Sequence, residues 1–187
     1  MNRREAVQYI SLLLGGTIVG GNAFLTGCKT KTEGTHSAFT TDDIAYLDEV
    51  ADTILPATST PGAKAAAVGT FMTVMVNDCY DDKDQKIFHD GMDKLNDLSK
   101  KTYDNGFMKL NPQQRHDLLV KLDNEQKDYM KKKKPEDPSH YFRMMKELTL
   151  LGYFTSEIGC TQARRYVETP GKFEGCIPYK KGDKAWA

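Results

Sequence analysis

The chain has 187 residues, 39% of them hydrophobic and 28% charged, and its 26 Lys/Arg are balanced by 26 Asp/Glu. That composition fits one soluble globular domain. With no basic excess to neutralise phosphates, nucleic-acid binding is excluded as a function class.

Residues 1–27 read as an export signal. Arg3-Arg4 sits just behind the start, an apolar run loosened by Gly15, Gly16, Gly20 and Gly21 follows, and Leu25-Thr26-Gly27-Cys28 closes it. The paired arginines predict the twin-arginine route, which carries folded proteins; the general secretory route is the alternative. The Leu-Thr-Gly-Cys ending resembles the lipobox of bacterial lipoproteins, and this implies acylation of Cys28. At about 0.8 kcal/mol per buried methylene, several acyl chains hold a soluble domain at a bilayer durably. A retained transmembrane helix is the other reading, and the four glycines and the lipobox count against it. The expected location is the periplasmic side of a bacterial envelope. Lys29 after Cys28 favours the outer membrane by analogy with lipoprotein sorting.

Residues 28–38 are polar and aperiodic, a tether between lipid and domain. Residues 39–187 form the domain, long enough to bury a core without staples. Thr40 with Asp43 predicts a helix start, Ile44, Leu47, Val50, Ala51, Ile54 and Leu55 share one face, and Leu55-Pro56 is the stop. Ala57 to Gly62 is a turn-rich loop. Ala63 to Tyr80 is predicted as a second helix with Phe71, Met75 and Cys79 aligned, although Val74 and Val76 are also compatible with a short strand. Asp81-Asp82 caps a third segment striped by Phe88, Met92, Leu95 and Leu98, which fades by Asn105-Gly106. Asn111-Pro112-Gln113-Gln114 is a strong start for a helix that buries Leu118, Leu119 and Leu122. The Lys131–Lys134 run is a solvated face. Asp137-Pro138-Ser139 opens the most apolar segment, with Tyr141, Phe142, Met145, Leu148, Leu150 and Leu151, expected at the centre of the bundle. After Pro170 no helical period remains. The expected architecture is all-α: a single compact bundle of five or six helices with an irregular, extended C-terminal arm.

With Cys28 assigned to lipid, Cys79, Cys160 and Cys176 remain, an odd set that allows at most one internal bridge. A Cys160–Cys176 bridge would close a short loop and contribute about 3 kcal/mol. Three reduced thiols are the alternative, favoured if the protein folds in the cytoplasm before export. The sequence contains no Gly-rich dinucleotide fingerprint, phosphate loop or Cys-x-x-Cys-His, so FAD, NAD, ATP and covalent haem have no motif here. His36, His89, His116 and His140 lack metal-ligand spacing and read as surface groups. The expectation is a chain without catalytic, cofactor or metal residues of its own.

One segment mixes apolar residues with glycine and aromatics: Gly152, Tyr153, Phe154, Thr155 and Ser156, ending at Gly159. Aromatics beside glycine mean either a close helix crossing or an exposed patch that needs a partner. Tyr166, Phe173, Tyr179 and Trp186 continue the aromatic theme along the arm, where a free chain has little to pack against.

Several blocks together resemble the gluconate 2-dehydrogenase subunit 3 family over about residues 39–186. They are Ala51-Asp52-Thr53-Ile54-Leu55-Pro56, Pro61-Gly62-Ala63, Leu151-Gly152-Tyr153-Phe154-Thr155-Ser156-Glu157, Pro170-Gly171, and Gly175-Cys176-Ile177-Pro178-Tyr179. The resemblance implies an accessory subunit of a sugar or sugar-acid dehydrogenase. Its large subunit would be a flavoprotein of the glucose–methanol–choline type that carries FAD and the catalytic base, and a cytochrome c often takes the electrons. The small subunit would carry the export signal for a large subunit that has none. The lipobox departs from proteobacterial members and bears on the anchoring mode. The expected partner interface is Gly152, Tyr153, Phe154, Thr155, Ser156, Phe173, Tyr179 and Trp186. A stand-alone envelope lipoprotein that binds a small molecule or envelope component is the alternative.

Overall fold

Local signals decide where each helix begins. In the computed structural model, which describes residues 38–169 and 171–187, the Thr40 hydroxyl accepts from Asp43 N–H while the Asp43 carboxylate accepts from Thr40 N–H. This reciprocal box starts α1 (Thr41–Ile54) as predicted, and Leu55-Pro56 ends it. Arg3, Arg4 and Cys28 lie outside the described residues.

α2 (Val68–Cys79) starts later than the sequence predicts. Residues 63–67 are turns, and Ala67 takes a left-handed φ of 51°. The reason lies in α1. Asp48 accepts from Gly69 N–H at 2.7 Å, so an α1 carboxylate satisfies a backbone donor that the helix start leaves open, and Asp52 accepts from Lys64 N–H at 3.3 Å in the turn before it. The buried face also differs. Val68, Met72 and Val76 are fully buried, whereas Phe71 and Met75 are half-buried and Cys79 is exposed. The aligned trio turns toward α2's flank, where Phe71 covers Gly152.

Asp81 caps α3 (Asp82–Tyr103), which ends at Asp104 in the left-handed region and so has faded by Asn105-Gly106 as predicted; a short polar side chain tolerates that conformation. A 3-10 turn at Phe107–Lys109 leads to the Asn111/Gln114 capping box and Pro112 of α4 (Pro112–Lys132). α5 (Tyr141–Thr155) is capped by His140, whose Nδ1 accepts from Phe142 N–H at 3.2 Å, three residues beyond the predicted opening at Asp137.

α5 touches all four other helices and is the centre of the bundle. Phe142, Met145 and Leu148 pack there with Leu47 and Val50 of α1, Met72 of α2, Phe88 and Leu95 of α3, and Leu118 and Leu122 of α4, all buried. Each such side chain contributes about 1.5–3 kcal/mol by leaving water. Leu150 and Leu151 do not join them; they are 38% and 46% exposed. The helix is enclosed on several sides but not all, so its outer apolar positions face solvent. Among the described residues the architecture is five α-helices, a 3-10 turn and a π turn (Gly159–Ala163), followed by an extended arm. It is all-α.

Candidate functional site

The Gly-Tyr-Phe-Thr-Ser block forms a corner. Tyr153 is 4% exposed, and its hydroxyl donates to Pro61 C=O at 2.7 Å, tying the 57–63 loop to the end of α5. Gly152 is buried, and a Cβ there would meet the Phe71 ring at 2.6 Å. The Ser156 hydroxyl donates to Tyr153 C=O at 2.7 Å and accepts from Gly159 N–H at 3.0 Å. At Gly159 a Cβ would lie 1.8 Å from Tyr153 C=O, so the reversal into the π turn requires glycine. Tyr153 and Gly152 are therefore core residues and offer no face to a partner. Of the predicted interface in this block, Thr155 is exposed, Phe154 is half-buried, and Ser156 is a half-buried turn residue.

The Asp52 and Pro61-Gly62 blocks share this role. Asp52 anchors the loop, and a Cβ on Gly62 would lie 2.5 Å from its carboxylate. Sequence reasoning found these residues but could not separate a packed corner from a docking patch, because both use glycine beside aromatics.

The corner aims the arm. Arg164 donates to Phe154 C=O at 2.6 Å and stacks over the Phe154 ring at 5.2 Å. From Tyr166 onward every described residue is exposed, including Phe173 at 95% and Tyr179 at 75%. Trp186 has a different job. Arg165 and Trp186 form an isolated parallel bridge, with Arg165 N–H donating to Ala185 C=O at 2.8 Å and Ala187 N–H donating to Arg165 C=O at 2.9 Å. The Arg165 guanidinium lies 4.4 Å from the Trp186 ring centroid and donates to Lys184 C=O at 2.7 Å. The arm is thus a closed loop. Arg165 and Lys184, which hold it shut, have no signal in sequence beyond their charge.

Cys160 and Cys176 are free thiols, and Cys160 Sγ sits 3.3 Å from Phe154 C=O. Among the described residues no group of three or more His, Cys, Asp or Glu side chains is placed to hold a metal ion. No described helix is long and apolar enough to cross a membrane.

Two of the four histidines are not on the surface in the simple sense expected. His89 stacks on Phe39 at 4.2 Å, and His140 stacks on Tyr141 at 4.5 Å. Burial lowers the pKa of His140 and pushes that of Tyr141 up to about 12.

Two grooves of the described body are lined by ion pairs. One, of about 280 Å³, runs past Glu49 and Arg115, which pair with each other. Burial opposes the Glu49 charge, yet Lys64 and Arg115 hold its carboxyl below the usual range. The other, of about 160 Å³, is floored by Asp123, 2.6 Å from Lys146. Burial again opposes the charge, but hydrogen bonds from Lys127, Lys146 and Gln126 outweigh it and place the Asp123 carboxyl at about 2.

No curated protein and no solved structure matched this chain. The family model described as gluconate 2-dehydrogenase subunit 3 matches residues 41–171, from the first turn of α1 to the first residues of the arm. Phe173, Tyr179 and Trp186 lie beyond that match. Covering well over half of the sequence, it establishes that this chain belongs to the gluconate 2-dehydrogenase subunit 3 family.

Proposed function

We propose that this chain is a non-catalytic, lipid-anchored subunit that escorts and stabilises an FAD-dependent sugar or sugar-acid dehydrogenase large subunit during export. The observation that carries the reading is the exposed arm. A helical body whose described core ends at Ala163 displays Phe173 and Tyr179, 95% and 75% exposed, on a loop that contributes no residue to that core. Large aromatic side chains held in water are the usual anchors of protein–protein interfaces. Membership of a family named for a dehydrogenase subunit supplies the kind of partner. In this reading FAD and the catalytic base reside in a glucose–methanol–choline-type large subunit, and a cytochrome c is a candidate electron acceptor.

Arg3-Arg4 directs the folded pair through the twin-arginine route, and acylated Cys28 holds it on the periplasmic side of the envelope, in the outer membrane. The test changes Arg3 and Arg4 to Lys in cells that make both subunits. The expected result is a large subunit retained in the cytoplasm. Periplasmic, flavin-loaded large subunit in that strain would refute the escort role. Replacement of Cys28 by Ser should release the exported pair from the membrane fraction without blocking export.

A further inference from the structure

We propose that residues 166–183 are a preformed, positively charged docking loop that seats in an acidic groove with an apolar floor on the large subunit. This rests on the subunit reading above and adds the chemistry of the contact. Charge is divided unevenly along the chain. Residues 164–187 carry six Lys/Arg against three Asp/Glu, a net charge of +3, whereas residues 38–163 carry 16 against 21, a net charge of −5.

A clasp closes this basic segment into a loop. Arg165 pairs through its backbone with Ala185 and Ala187, its guanidinium covers Trp186, and the Lys184 ammonium donates to Gln162 C=O. Both ends of the loop are therefore fixed to one spot, and the entropy of closing it is offset before a partner arrives. Gly171 at φ +66° and Gly182 at φ +94° allow backbone turns that other residues reach only with strain. The loop encloses a hollow of about 390 Å³ lined by Val167, Phe173, Ile177 and Trp186, with Lys172 and Glu174 at its edge.

The occupant is the large subunit: a family named for a dehydrogenase subunit supplies a partner outside this chain, and self-association through the acidic helical body is the competing outcome of the test.

Binding kinetics between the full-length chain and purified, FAD-containing large subunit, over a series of salt concentrations, test the proposal. Reversing three charges together (Lys172→Glu, Lys180→Glu, Lys181→Glu) takes residues 164–187 from +3 to −3, and should slow association about tenfold or more at low salt and invert its salt dependence. Phe173→Ala with Tyr179→Ala should speed dissociation about tenfold or more. Trp186→Ala, which opens the clasp, should weaken binding about tenfold by loosening the loop. All three variants should melt at the wild-type temperature, because no described residue beyond Ala163 belongs to the core. An unchanged association rate and salt dependence in the charge-reversed chain would overturn the proposal. So would a wild-type dimer that the reversal dissociates. If the wild-type chain fails to bind the large subunit at all, the subunit reading itself falls.

Discussion

Replacing Tyr153 by Phe separates two roles that its sequence context leaves open. The side chain is 4% exposed, and its hydroxyl donates to Pro61 C=O at 2.7 Å, with a weaker approach to the Thr60 hydroxyl at 3.5 Å. The substitution keeps the ring and its packing and removes one hydrogen bond. Such a bond contributes about 0.5–1.5 kcal/mol net, and half-buried Pro61 recovers part of the loss by hydration. The expected cost is about 1 kcal/mol, or roughly 2–4 °C in Tm for a domain of this size. Tyr153→Ala also removes the ring and should cost about 3–5 kcal/mol, a large share of a typical total stability of about 5–15 kcal/mol. Urea unfolding followed by far-UV circular dichroism measures both. Affinity for the large subunit, measured on the folded Phe variant, should equal that of the wild type. A Phe variant of unchanged stability and much weaker binding would place the hydroxyl at an interface and refute the corner assignment.

Gly159→Ala puts a Cβ 1.8 Å from Tyr153 C=O, so the backbone must move, and the expected cost exceeds the ~1–3 kcal/mol of ordinary overpacking; a melting temperature within error of wild type would contradict this. The Asp123 carboxyl, held at about 2 against an unfolded value of 3.8, stabilises the fold above pH ~4, and that stability is lost as pH falls toward ~2. After allowance for solvent screening the term is about 1–2 kcal/mol, and Asp123→Asn should flatten the acid limb of the stability curve by that amount. His140 has its pKa lowered by burial, so its neutral form contributes stability above its ordinary value of 6.5, lost as pH falls below it. Its ring nitrogen can cap α5 only while unprotonated. His140→Asn keeps a cap acceptor and should remove the change in Tm between about pH 7.5 and pH 5.5; an unaltered pH dependence would assign it to another group. Thr40→Ala breaks the capping box of α1 and should cost about 1 kcal/mol in the same urea assay.

Helix starts were legible where a local cap used Thr, Asp or Asn; the His140 cap of α5, equally local, was missed because histidine is not among the preferred cap residues. Thr40 with Asp43, Asp81, and Asn111 with Gln114 each bond within one turn, so three or four residues of sequence contain the whole interaction. The start of α2 was not legible, because its Gly69 donor is met by Asp48 and the turn before it is held by Asp52, both earlier in the chain on α1. The periodicity of α3 identified Phe88, Met92 and Leu95 correctly, since that helix has one buried face. On α2 the same reasoning chose Phe71, Met75 and Cys79, a stripe on the flank of the core, because a helix flanked by both α1 and α5 has apolar positions on more than one side.

By itself the sequence determined the all-α class, the order of the helices, the central position of the most apolar helix and the aperiodic arm. Each follows from composition, spacing or local hydrogen bonding, while the family came from the resemblance of its motif blocks. Only the tertiary structure decided that Gly152 and Tyr153 lie inside the corner and that Phe173 and Tyr179 stand outside, with Trp186 folded back on Arg165. An aromatic residue is suited equally to a core and to an interface. Which one it joins depends on whether distant parts of the chain reach it: the Pro61 loop reaches Tyr153, and among the described residues nothing covers Phe173, which is 95% exposed.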